Sequence, residues 1–189
     1  MQKTSPPLLT QTGAEFLAEG QLVIQAGKDD AQAFKDLPLD ASPAVAAAAL
    51  DVMDCTLNQV TGRIHLYSQV HPDPAMREVA EALERELSGF LTELSLDREM
   101  YDRVAAVDLT NVADEQIKRL FEHSLRGFRS SGVDRDPAER KAIADLKNEL
   151  VGIGQEFDRN INTGGKEFLL ADGEAGLEGL PADFIASHP

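Results

Sequence analysis

Four histidines, His65, His71, His123 and His188, are the side chains of this sequence best suited to hold a metal, and their spacing argues against it. Zinc-assisted hydrolysis places two imidazoles at i and i+4, one helical turn apart, with a glutamate beside the first as general base. No two of these histidines stand four apart, so H-E-x-x-H is absent. His65 and His71 are six apart with a proline after the second, which keeps them off one helical face. His123 follows Glu122 without a partner and reads as a surface or half-buried side chain.

Other chemistries fail on the same kind of test. A di-iron carboxylate centre needs Glu-x-x-His on two helices, and the residues three before each histidine are Gly62, Ser68, Leu120 and Ile185. In Asp134-Arg135-Asp136 a calcium loop would need glycine where Glu139 stands. Gly164-Gly165-Lys166 lacks the first half and the Ser/Thr of a phosphate loop and reads as a helix stop. No local signature supports a serine, cysteine or lysine nucleophile. The residues therefore assign no catalytic, cofactor-binding or metal-ligating position. Asp134-Arg135-Asp136 and the pairs Glu139/Arg140 and Lys147/Glu149 read as solvated charges. Arg126 and Arg129, one turn apart across Gly127-Phe128, read as surface residues, with a peptide-facing or domain-facing role as the alternative. Tyr67 and Tyr101 read as core or rim aromatics.

Charge and composition narrow the partners. Eighteen basic against thirty-three acidic residues leave a net charge of −15, a field that repels nucleic acid and anionic membrane. The longest apolar run, Ala44 to Leu50, is too short to span a bilayer, and the first residues carry no signal-peptide core. A single Cys55 inside an apolar helical pattern is expected to be a buried structural thiol, which together with these absences predicts a cytoplasmic protein.

The positioning elements are all helical. Residues 1 to about 12 read as a flexible leader, Ala14 to Ala26 as one helix ended near Gly27, and Asp29 to Asp36 as a second short one. Ser42-Pro43 caps a strong helix whose stripe of Ala46, Leu50, Met53, Leu57, Val60 or Ile64, and Tyr67 runs to about Val70. At 1.5 Å per residue it is about 40 Å long, and only a neighbour of similar length could cover it. His71-Pro72 breaks it, and Asp73-Pro74 opens a third helix carrying Met76, Val79, Ala80, Leu83, Leu87, Phe90, Leu91 and Leu94. A short helix follows at Arg98 to Ala105.

Two long helices then come from Glu115 to Ile161. Ile117, Leu120, Phe121, Leu125 and Phe128 form the first stripe, and Ile143, Leu146, Leu150, Ile153, Phe157 and Ile161 the second. Ser130-Ser131-Gly132 stops the first helix, and Asp136 caps the second with Pro137 and Glu139 behind it. The expectation is a helical hairpin whose stripes cover one another. After Thr163-Gly164-Gly165, Lys166 to Leu170 reads as a brief extended stretch. The rest is loop-like yet holds Leu177, Leu180, Phe184 and Ile185. The predicted architecture is all-α: an elongated bundle of long antiparallel helices with a short extended, loop-rich C-terminal tail. Its parts are a leader with short helices over 1–41, a long-helix bundle over 42–163, and an apolar tail over 164–189. That tail either packs back on the bundle or docks on a catalytic domain outside this chain.

The wording of the hairpin carries a resemblance. Arg119-Leu120 through Gly127-Phe128-Arg129, Ser131-Gly132-Val133, Pro137-Ala138-Glu139-Arg140, Glu156-Phe157 and Asn160-Ile161 resemble the N-terminal helical region of the thimet oligopeptidase, neurolysin and oligopeptidase A family. His71-Pro72-Asp73, Arg77, Leu94-Ser95-Leu96, Tyr101 and Gly179-Leu180-Pro181 extend the match from about Ala44 to the end. Those enzymes are zinc metalloendopeptidases that cut short peptides. The resemblance implies that this chain is a non-catalytic part forming one wall of the substrate channel. Zinc and its glutamate base would lie in a C-terminal catalytic domain beyond Pro189, so the parent is an enzyme and this chain alone is inactive and binds no metal. The partners implied are short peptides and that domain. The alternative is a stand-alone all-α binding or scaffold protein without enzymatic activity.

Overall fold

The computed structural model describes residues 11–164 and 179–187. Among them it contains α1 (Gly13–Lys35), α2 (Pro43–Val70), α3 (Pro74–Ser95), α4 (Arg98–Ala105), α5 (Glu115–Ser131), α6 (Pro137–Thr163) and α7 (Ala182–Ser187). The chain is all-α, as its periodicity predicts. Its contacts divide it into two compact units, Met1–Gln155 and Glu156–Pro189.

In the first unit α1, α2 and α3 pack against one another around a common core. Each helix start carries its own stop for the backbone amides left free in a first turn. Thr12 and Glu15 form a reciprocal capping box on α1, and Ser42, Asp73, Asp97 and Asp114 accept amides of the four helices that follow. The α2 stripe is buried along its whole length, and Val60 and Ile64 both belong to it. Opposite it lie Phe16, Ile24, Ala31 and Phe34 of α1 and Met76, Ala80, Leu83, Leu87 and Phe90 of α3.

The helix α1 is one continuous element where two short ones were expected. Gly20 and Gly27 do not break it; they are notches for its neighbours. A Cβ on Gly20 would sit 2.6 Å from both Leu83 methyls, and one on Gly27 would sit 2.4 Å from Leu57 Cδ2. Side-chain-free positions two helical turns apart let α3 and α2 close on α1, and the tertiary contact outweighs the weak helix propensity of glycine.

Polar contacts clasp the same seams. Glu19 of α1 meets Arg63 of α2 at 2.5 Å, with the guanidinium lying over the Phe16 ring. The Arg63 hydrogen bond, aided by Gln11, holds the Glu19 carboxyl below its ordinary range. A carboxyl whose folded pKa is depressed contributes stability above its unfolded pKa and loses that contribution as pH falls through the folded value. The gap in urea midpoint between the native chain and Glu19→Gln is thus expected to be open at neutral pH and closed in acid. An unchanged gap at both would dismiss the clasp. At the other end Lys35 bridges Asp97 at 3.1 Å and Glu99 at 3.4 Å, tying α1 to the start of α4.

The last two long helices depart from the hairpin expected of them. α5 packs on α4, α2 and α3, and Phe121 is its one residue buried to zero exposure. Gly132, at φ 97°, ends it in the left-handed conformation that glycine adopts without strain, and the following amide returns to the Phe128 carbonyl. Hydrogen bonds set α6 antiparallel to α3, and its stripe is left uncovered by α5. Arg140 donates to the Leu96 carbonyl at 3.2 Å, Lys147 to Ser95 Oγ at 3.4 Å, and Gln155 to the Glu81 carbonyl at 3.0 Å. Gln155 also donates to Glu84 at 2.9 Å and accepts from Arg85 at 2.5 Å. Arg140 and Lys147, expected to be solvated, are thus the residues that seat this helix. Its apolar stripe faces away: Leu146, Leu150 and Ile153 are 61%, 65% and 55% exposed.

In the second unit α6 ends at Thr163, before Gly164. There a Cβ would lie 2.4 Å from the Asn160 carbonyl. α7 is a helical turn and a half inside a stretch expected to be loop; Phe184 on it and Leu180 before it are exposed. The expected extended stretch Lys166 to Leu170 lies outside the described residues.

Candidate functional site

The three described histidines are held apart and serve as helix furniture. His65 is exposed on α2, with Nδ1 3.5 Å from Glu84. His71 caps the C-terminus of α2, its ring tilted against Tyr67 at 5.0 Å between centroids and its Nδ1 accepting the Asp73 amide at 3.1 Å. His123 is exposed on α5. His188 lies outside the described residues. Among those described, no three His, Cys, Asp or Glu side chains gather closely enough to hold a metal ion.

Cys55, expected to be a buried thiol, is exposed. Helical geometry gives the reason: Met53 and Leu57 lie on the buried face, and position 55, two residues from each, points the opposite way. Tyr67 is buried against Phe16, at 4.9 Å between ring centroids, while Tyr101 sits at the rim.

An apolar recess of about 270 Å³ lies between α2, α3 and α5. Leu50 and Met53 line one side, Leu91 and Leu94 another, and Phe128 a third. Its α5 wall is low because Ser124, Gly127 and Ser131 follow one another at turns of the helix. Asp54 is the titratable group on the lining, and its carboxyl is pushed up by desolvation, with Asp51 adding to the rise. Ser124 spends its hydroxyl on the Leu120 carbonyl at 2.8 Å. No nucleophile faces a base here. The cleft can accommodate apolar side chains.

The residues that carry the family resemblance converge instead on the joints between helices. Arg77 donates to the His71 carbonyl at 2.5 Å and the Pro72 carbonyl at 3.3 Å, and Asp73 accepts the Ala75 amide at 2.9 Å, so His71-Pro72-Asp73 with Arg77 locks the α2–α3 corner. Leu96 and Ser95 receive Arg140 and Lys147 from α6. Tyr101 accepts from Arg129 Nε at 3.0 Å and lies under the Arg98 and Arg129 guanidinium groups. Val133 is fully buried in the turn, and Asp136 accepts the Ala138 and Glu139 amides at 2.8 and 3.0 Å. Those amides hold the Asp136 carboxyl below its ordinary range, that of Glu139 first. The shared motifs are thus architectural: they set how α3, α4, α5 and α6 meet. Sequence reasoning found these residues but missed that Arg129 and Tyr101 are partners, because twenty-seven intervening residues hide the contact.

No family model matches the chain. Curated relatives do, and those compared are mitochondrial intermediate peptidases. The protein of Mycosarcoma maydis is 25% identical over 201 residues, covering 96% of this chain and 22% of its own length. That of Candida glabrata is 27% identical, covering 64% of this chain and 16% of its own. The Homo sapiens protein is 25% identical over 59% of this chain and 16% of its own length. The chain thus spans about a fifth of the relatives it matches. The expected likeness to the thimet oligopeptidase, neurolysin and oligopeptidase A group of metallopeptidases is borne out by these relatives. The expected cytoplasmic location is overturned by them, since they are mitochondrial by name. That expectation rested on a single unpaired cysteine and on lacking a secretory or membrane-spanning run, and neither speaks to import into mitochondria. Among the described residues no helix is long and apolar enough to cross a membrane.

Proposed function

We propose, from the kinship with these peptidases, that the chain is the N-terminal, non-catalytic part of a zinc metalloendopeptidase that hydrolyses short peptides, and that its helices form part of the wall of the substrate channel. What carries this reading is the match of 96% of the chain to 22% of a peptidase. The motif residues support it, since they build a scaffold of helix joints and leave no reactive constellation. In this reading zinc and the general base belong to the catalytic domain, short peptides are the substrate, and this chain alone is inactive. The leader, bundle and tail over 1–41, 42–163 and 164–189 are its working divisions, the tail docking on the catalytic domain.

The mass and metal content of the native gene product test it. The expected product is several times heavier than 20.5 kDa, carries one tightly bound zinc, and cuts short peptides. A product of 20.5 kDa without metal would end the enzyme reading and leave a helical binding protein.

A further inference from the structure

We propose that the outward face of α6, carrying Leu146, Leu150 and Ile153, is the seam on which the remaining polypeptide of the peptidase packs through an apolar helix face. This rests on the peptidase reading above and adds to it where the two parts join. A helix left to water buries its leucines; α6 within the first unit leaves three large apolar residues exposed. Arg140, Lys147 and Gln155 face α3, and each is held by a partner there, so the helix cannot roll its stripe inward without breaking those bonds. Gln155 is 6% exposed with both ends of its amide engaged, which makes it the pin of this orientation. The outward residues follow at steps of four and three, the spacing of a ridge that fits the groove of another helix.

Two observations choose the occupant. The chain covers 22% and 16% of the relatives' length, so most of such a polypeptide is available to cover this face. A second copy is opposed by charge, because each chain carries a net −15 and pairing would bring two such fields together.

The test places single thiols at Leu150→Cys and Ile153→Cys in the full native gene product, with Cys55→Ser, and reads maleimide labelling of α6 by peptide mass spectrometry. The seam predicts labelling slowed by about a hundredfold or more relative to the urea-unfolded product, unchanged on dilution. Labelling within about threefold of the unfolded rate overturns it, as does protection that disappears on dilution, which marks a second copy, or a native product no longer than this chain. Failure of the peptidase reading is separable. A long product that protects both thiols yet holds no zinc and cuts no peptide keeps the seam and loses the activity. One that cuts peptides with both thiols freely labelled loses the seam alone.

Discussion

Replacing Gly27 with valine is expected to cost about 3 kcal/mol of stability, among the largest effects of any single surface-neutral change in this chain. A Cβ at that position would stand 2.4 Å from Leu57 Cδ2 and 2.9 Å from Cγ. Leu57 is itself buried, at 6% exposure, with α1 on one side and the rest of the core on the other. Either Leu57 leaves its rotamer within a packed core or α1 lifts from α2, and both cost stability. Alanine tests the same contact more gently. Overpacking there competes with the gain of about 1 kcal/mol that alanine brings over glycine inside a helix, and the expected net loss is about 1 kcal/mol. Gly62 supplies the control, since a Cβ there meets nothing within 4 Å. Gly62→Ala is expected to stabilise by about 0.5–1 kcal/mol. Urea unfolding read by circular dichroism measures all three, with the midpoint moving and the slope unchanged. If Gly27→Val and Gly62→Ala moved the midpoint alike, the notch would be refuted.

Phe121→Ala is expected to cost about 3–5 kcal/mol, and to do so locally. Phe121 is fully buried, while Ile117, Leu120, Leu125 and Phe128 on the same helix are only partly covered. The cleft between α2, α3 and α5 already removes neighbours from one flank of α5. Without the phenyl ring, the helix loses its one fully enclosed anchor next to a pre-existing void. Hydrogen exchange should therefore accelerate across Glu115–Ser131 while α1, α2 and α3 keep their protection. A variant in which all the helices lose protection together would show that α5 is part of the same cooperative core, contrary to this account.

The elements and their ends were legible in the sequence because the forces that set them are local. Ser42-Pro43, Asp73-Pro74 and Asp136-Pro137 each satisfy first-turn amides a few residues away, and Gly132 ends α5 through its own backbone. The stripe of α2 was readable for the same reason: a period near 3.6 marks a buried face whatever covers it. The exposure of Cys55 follows from that period too, once its place between Met53 and Leu57 is taken seriously. The lack of any metal-binding spacing among the histidines is likewise a property of the text alone.

Periodicity declares that a face exists and is silent on what meets it. Gly20 and Gly27 look like helix breakers until Leu83 and Leu57, tens of residues away, are seen to fill the space they leave. The stripe of α6 predicts a hydrophobic partner in α5, but the partner α6 takes is α3, and it takes it with Arg140, Lys147 and Gln155. Hydrophobic attraction is nondirectional and any apolar face can satisfy it, whereas a hydrogen bond needs a donor and an acceptor at one distance and angle. The sequence by itself determined where most of the long helices begin and end, because their caps and periods are local. Which side of α6 faces inward was decided only when the chain folded and brought those directional contacts within reach.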